Sequence, residues 1–231
     1  RRDPRRVLGL HAGAVAARGE ILVFTDDDCA VPYHWLQKIE NLFTAIHCDL
    51  LGGATRNAET GYYWSDVHQS ITDFWQQALN KGDSKDVFLT SNNMAIRKAT
   101  FIKIGGFDEQ YSFPGGEDRD LAIRAAAAGF RVHFAADLII DHHHQMTFGK
   151  FCRQHTKYGS GSFLLRSRQP DTRPAWPLYL KLLFQGWHGP TILAKMTNFT
   201  AILLSQSCIV WGFLYGALNV SGKQERHTEL L

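Results

Sequence analysis

The run Ile21-Leu22-Val23-Phe24-Thr25, followed at once by Asp26-Asp27-Asp28, constrains this chain more than any other stretch. Apolar and β-branched residues without alternation predict a strand buried on both faces, the pattern of a mostly parallel sheet. In open α/β sheets ligands bind beyond the carboxyl ends of the strands, so three carboxylates stand where a ligand is expected. Adjacent carboxylates repel one another, and hard oxygen donors in that place call for Mg²⁺ or Mn²⁺, usually shared with a substrate's phosphates. The plainer alternative is a solvated acidic turn, or an Asp N-cap on the next helix.

Composition narrows the classes. A chain of 231 residues makes one large domain, or one domain and an appendage. With 45% hydrophobic and 20% charged residues it can bury a substantial core, and a net charge of +3 is too small to argue for a nucleic-acid partner. Arg1, Arg2, Arg5 and Arg6 nevertheless crowd the start. Cys29, Cys48, Cys152 and Cys208 are scattered without zinc spacing, which fits a reducing compartment. No secretory signal is recognisable, and a first residue of Arg leads us to expect part of a longer chain.

Taken in order, residues 6–18 predict a helix stopped by Gly19, and Trp35 to Ile46 an amphipathic helix entered through Pro32. Leu50–Gly53 reads as a short strand and 62–79 as a helix. Tyr62, Tyr63 and Trp64 at its start suit helix packing better than a sugar platform. A polar turn at 81–84 leads to a strand at Val87–Thr90, with Ser91-Asn92-Asn93 at its carboxyl end. A short helix spans 97–104, and the aperiodic 111–116, with Pro114-Gly115-Gly116, reads as a mobile loop. Glu117-Asp118 opens a helix with an Asp120–Arg124 i,i+4 pair. Strands are expected at 131–134 and 138–141, and a basic helix from Phe148 that ends at Gly159-Ser160-Gly161. No charged residue lies between Lys195 and Lys223, so about 199–220 predicts a membrane-crossing helix, with a buried core helix as the alternative.

Two further constellations carry chemistry. A carboxylate in the first turn of a helix is held ionised by backbone N–H groups and the helix dipole. Asp118 therefore suits a general base, although simple capping accounts for the pair as well. Strand alternation places His142 and His144 on one face and Asp141 and His143 on the other, which suits a metal ligand or a polar surface cluster.

FTDDDC after a buried strand, then SNNMAIRK, IGGFDE, GGEDRDLAIR and a late histidine resemble the family-2 inverting glycosyltransferases of GT-A fold over residues 8–165. The resemblance implies a Rossmann-like α/β fold with an N-terminally incomplete catalytic domain at 1–165, and the basic residues and charge-free run that follow lead us to expect a membrane-associated segment at 166–231. It implies that Asp26 and Asp28, with Asp27 between them, are the Asp-x-Asp pair that holds a nucleotide-sugar diphosphate through a divalent metal. Asp118 is then the catalytic base beside Glu117, Asn92 and Asn93 border the donor and acceptor site, and His142 lies near the metal. The family's first, nucleotide-binding strand has no counterpart before Arg1, and Gly9-Leu10-His11 replaces its Ala-Arg-Asn. Gln154-His155-Thr156-Lys157-Tyr158 is similar to the Gln-x-x-Arg-Trp motif of processive members, with Lys and Tyr in place of Arg and Trp.

The expected activity is metal-dependent transfer of a sugar from a nucleotide-diphosphate donor to a glycan or lipid-linked hydroxyl, with inversion. The expected setting is the membrane, with the catalytic domain on the cytoplasmic side because Lys and Arg gather before the apolar stretch. A metal-dependent nucleotidyltransferase uses similar carboxylates, and an inactive or binding fragment of a membrane-attached protein is the non-enzyme alternative. Nothing in these residues selects the nucleotide, sugar, acceptor or linkage.

Overall fold

The computed structural model describes residues 6–81, 87–111, 115–170 and 176–228. The expectations for Arg1, Arg2, Arg5, the turn at 82–84, the loop at 112–114 and Arg173 fall outside them. The chain divides into two compact units, Arg1–Glu109 with Asp118–Thr147, and Gln110–Glu117 with Phe148–Leu231. The chain passes from the first unit to the second between Thr147 and Phe148.

The first unit is an α/β sheet with flanking helices. In chain order it holds α1 (Arg6–Ala16), β1 (Ile21–Phe24), β2 (Cys29–Ala30), α2 (Trp35–Ile46), β3 (Leu50–Asn57) and α3 (Tyr63–Leu79). A 3-10 turn at Ser91–Asn93 then leads into β4 (Met94–Arg97), α4 (Lys98–Lys103), α5 (Glu117–Ala127) and β5 (Val132–His142). The strand order is β1-β4-β3-β5-β2. Among the described residues only β3 and β5 pair in parallel, and the other three pairs are antiparallel. The expectation of a mostly parallel sheet is therefore corrected to a mixed one. The apolar run reported burial, not strand direction: Leu22 and Phe24 are buried, Phe24 meeting Phe107 and Phe101, while Ile21 and Val23 pack on the α2 side.

That α2 side is the main core. Trp35, Ile39 and Phe43 recur every four residues and close onto Leu51, Ala95, Leu138 and Ile140. Each such side chain contributes roughly 1.5–3 kcal/mol on burial. Three local expectations change. Residues 87–90 join no ladder, and the Asn80 side chain takes the backbone hydrogen bonds of Phe88: its amide donates to the Phe88 carbonyl, and Phe88 N–H donates to Asn80 Oδ1, both at 2.9 Å. The strand lies instead at Met94–Arg97, in the sheet between β1 and β3. The two strands expected at 131–134 and 138–141 are one, β5, whose register against β3 slips between Gly53 and Ala54.

The second unit contains α6 (Phe148–Arg168), α7 (Trp176–Gln185) and α8 (Ile192–Thr228). Residues 159–161 do not end α6; Gly159 and Gly161, lacking side chains, admit neighbouring backbone. A Cβ on Gly159 would lie 2.0 Å from Ile209 O, and one on Gly161 1.6 Å from Gly115 O. Two residues apart is about 200° around a helix, so α6 is approached closely on opposite sides. Partner numbers rise together along α6 and α8: His155 Nδ1 with Ser205 Oγ at 2.8 Å, the Ser160 hydroxyl donating to Gly212 O at 2.9 Å, Phe163 against Phe213. The two helices therefore run parallel. Ile192–Asn219 of α8, at mean hydropathy 1.6, is long and apolar enough to cross a membrane by length and composition.

Candidate functional site

The acidic turn Thr25–Asp28 leaves β1 and is closed by a Cys29 N–H bond to Asp26 O at 3.1 Å. The next two residues form β2, a strand absent from the sequence reading, in which Cys29 pairs with His142 and Ala30 with Asp141. His143 N–H also donates to Asp28 O at 2.8 Å. These backbone bonds bring the end of the Asp triplet against the end of the histidine strand. Asp28 Oδ1 lies 3.4 Å from His142 Nε2, an ion-pair distance without hydrogen-bond geometry, so that this buried nitrogen has no hydrogen-bond partner.

The rings of His142 and His144 meet at 5.0 Å, as strand alternation predicts. Asp141 and His143 turn elsewhere, Asp141 to Arg56 at 2.7 Å and His143 Nδ1 to Glu59 at 3.2 Å. One ligand atom each from Asp28, His142 and His144 lie within 4.8 Å of one another. Two ligands about 2.1 Å from one ion stand up to about 4.2 Å apart, so slight side-chain rotation lets all three share a cation. Among the described residues Asp26 is outside this group, half-buried, and Asp27 is exposed. His144 joins it, and the alternation argument was the signal that finds it. Ser65, which the sequence reading missed, holds His144 in place: its hydroxyl donates to His144 O at 2.8 Å and accepts from Met146 N–H at 3.0 Å.

The Asn pair divides. Asn93 is fully buried and its side chain is occupied: Oδ1 accepts from Trp35 Nε1 at 3.1 Å, and Nδ2 donates to Ala54 O and Leu138 O, both at 2.8 Å. It clamps α2, β3 and β5 together. Gly53 is required beside it, since a Cβ there would sit 2.3 Å from Asn93 Nδ2. Asn92 is half-buried, with an Oδ1 that no hydrogen bond satisfies.

The acidic pair opens α5, as expected, and divides in the same way. Asp118 Oδ2 accepts from Ser91 N–H at 3.2 Å and Oδ1 from Arg119 N–H at 2.8 Å. Glu117, expected beside Asp118 in a catalytic role, is buried, and its Oε2 accepts from Gly115 N–H at 2.6 Å. Arg124 makes the expected pair with Asp120 at 2.8 Å and also donates to Ile104 O and Gly106 O, which ties the IGGFDE turn to α5. His11 and Arg124 help line a separate concavity beside Gly106. Burial, with Asp28 and Asp26 adding to it, pushes the Cys29 thiol up to about 11, so no thiolate nucleophile stands at this site near neutral pH.

Comparison with known proteins gives the family and the fold. The profile of the family described as glycosyltransferase like family 2 matches residues 6–161. The Caenorhabditis elegans protein "Probable N-acetylgalactosaminyltransferase 9" is 26% identical over 142 residues, 53% of this chain and 24% of its own length. Glycosyltransferase AglE of Haloferax volcanii is 26% identical over 152 residues, 65% of this chain and 48% of its own length. Among solved structures, the Pyrobaculum calidifontis mannosyltransferase PcManGT, in complex with GDP-Man and Mn²⁺, superposes with a TM-score of 0.55 at 15% identity. That similarity, covering 100% of this chain and 60% of that one, is one of fold. The chain thus spans about a quarter to a half of these two curated relatives. A profile match over most of its length, on a GT-A-like mixed sheet with the acidic turn at a strand end, makes this chain a member of the glycosyltransferase-like family 2.

Proposed function

We propose that the chain carries out metal-dependent transfer of a sugar from a nucleotide-diphosphate donor to a hydroxyl acceptor, with inversion at the anomeric carbon. The observation that carries the reading is the convergence of Asp28, His142 and His144 at the end of β1, together with an orphaned, buried His142 Nε2. An orphaned imidazole nitrogen beside a carboxylate suits a cation, and two imidazoles with one carboxylate favour Mn²⁺ over the all-oxygen preference of Mg²⁺. Asp28, His142 and His144 would hold the ion, with Asp26 close by in the same turn. When bound, it supplies charge neutralisation for the leaving diphosphate.

Asp118 is the group we assign as base. It takes the acceptor hydroxyl's proton while that oxygen bonds to the anomeric carbon and the bond to the diphosphate breaks. A single displacement inverts the centre and needs no enzyme nucleophile, consistent with the protonated Cys29. Glu117, which precedes the base in the chain, serves through its bond to Gly115 N–H. The acceptor class is a glycan or lipid-linked hydroxyl, and the setting a membrane whose cytosolic face carries this domain.

The test is turnover of the full chain with Mn²⁺ and a panel of nucleotide sugars, reading the phosphate product. Release of a nucleoside diphosphate, lost by at least about a hundredfold in Asp118→Asn with donor affinity retained, is expected. Pyrophosphate release would mark a nucleotidyltransferase instead, and full activity of the variant would remove Asp118 from the reaction.

A further inference from the structure

The exposed surface of α8 is one-sided. Ile192, Met196, Leu203, Val210, Leu214 and Leu218 are all exposed. At about 100° per residue they fall within roughly a quarter of the helix circumference. Trp211 and Tyr215 widen the stripe on the same side. Ala201, Ile202, Ser205 and Gly212, on the opposite side, are buried. The stripe runs about 40 Å along the helix. In α7, Trp176, Leu180 and Phe184 recur every four residues and are likewise exposed, while Leu182 opposite them is fully buried.

The covered side of α8 decides how such a stripe can meet lipid. It is packed along α6, which carries Lys150, Arg153, Lys157, Arg166 and Arg168. His155 is level with Ser205 and Gly159 with Ile209, so Lys157 stands near the middle of the 199–220 stretch. A bilayer spanned by that stretch would place Lys157 near its centre and Arg153 closer to one edge. A Lys at the centre costs about 2.5–3.5 kcal/mol even on the mildest scale. Lying in the interface avoids that cost. The apolar stripe enters the acyl boundary by about 5–10 Å, and the basic helix stays on the wet side.

Charge identifies the partner. From residue 148 to 195 there are eight Lys and Arg against a single acidic residue, Asp171, and from 196 to 222 there is no charge at all. A second copy would set two basic segments against each other, whereas anionic headgroups complement them. We propose that α7 and α8 form an in-plane platform that docks on an anionic phospholipid surface, with α8 lying along the membrane rather than across it. This deepens the membrane setting proposed above and replaces the crossing helix expected from hydropathy.

The experiment uses the full chain reconstituted with phosphatidylcholine vesicles containing about a third phosphatidylglycerol. Binding is expected to be at least about tenfold tighter than to phosphatidylcholine alone, and to fall at least as far in Trp211→Glu with Leu214→Glu. For depth, spin labels are placed on Met196→Cys, Leu203→Cys and Leu218→Cys in a background with the four native cysteines changed to Ala. An in-plane helix gives all three labels one shallow depth, whereas a crossing helix separates the first from the last by about 33 Å. A second readout needs no cysteine changes: protease added outside should reach a tag after Leu231 and the first unit on the same side. Labels at graded depths, or a tag protected while the first unit is cut, overturn the in-plane arrangement and leave membrane binding standing. Absence of vesicle binding, with or without dimerisation, overturns both. Neither outcome bears on sugar transfer, which is read from nucleoside diphosphate release.

Discussion

Replacing Asn93 separates a structural clamp from a ligand contact. Asn93→Ala removes three hydrogen bonds at once and leaves Trp35 Nε1, Ala54 O and Leu138 O without their partner. All three lie in or beside the α2–sheet core, where Trp35 and Leu138 are buried. A buried polar group left unsatisfied costs about 1–3 kcal/mol. Three of them, eased by local relaxation or an entering water, sum to about 3–5 kcal/mol. For a chain of this length that lowers the melting temperature by about 10 °C. The assay is thermal unfolding of the full chain, followed by calorimetry and intrinsic fluorescence, with donor affinity measured well below the transition. The expected result is a large stability loss and a donor Kd within about a factor of two of the parent. A variant as stable as the parent within about 0.5 kcal/mol, but unable to bind donor, would refute the reasoning and return Asn93 to the ligand.

The remaining predictions concern the cation, the helix seam and acid. His144→Ala should weaken Mn²⁺ binding by at least about tenfold, read by calorimetric titration, since it removes a ligand that Ser65 holds in place; unchanged affinity would dismiss the three-residue group. Gly212→Ala should destabilise the α6–α8 pair by about 1–3 kcal/mol, because its Cβ would lie 1.9 Å from Thr156 O, while Gly149→Ala, with no atom nearer than 4.0 Å, should not. Limited proteolysis of the second unit reports both, and equal resistance in the two variants would argue against the close approach. Burial holds the His155 ring neutral and pulls its pKa down to about 3, against about 6.5 when unfolded. Its contribution is therefore fully present above about pH 6.5 and is lost as the pH falls toward 3, by about 1.4 kcal/mol per pH unit. Denaturant midpoints between pH 7 and 5 should fall less steeply in His155→Gln, and identical slopes would contradict the burial argument.

Local pattern was sufficient for much of this protein. The four-residue recurrence of Trp35, Ile39 and Phe43 announced α2, and the run of apolar residues announced β1 with both faces buried. The Asp triplet at its end, the acidic pair opening α5 and the alternation of His142 with His144 were all legible, because each is a property of neighbours along the chain. Pairing was not. Which way β4 runs depends on hydrogen bonds to β1 and β3, distant in the chain, and that β2 exists at all and carries Asp28 to His142 depends on bonds between segments more than a hundred residues apart. A two-residue strand leaves no period to detect. The same holds for the burial of Asn93 and Glu117, whose polar types do not announce it, and for Gly159 and Gly161, which signal a helix end until a neighbouring backbone fills the space. Hydropathy likewise marked α8 as apolar over a membrane's thickness. Only its packing against the basic α6 determines which side of it remains for lipid, because the cost of burying charge depends on what lies beside a helix as much as on what is in it.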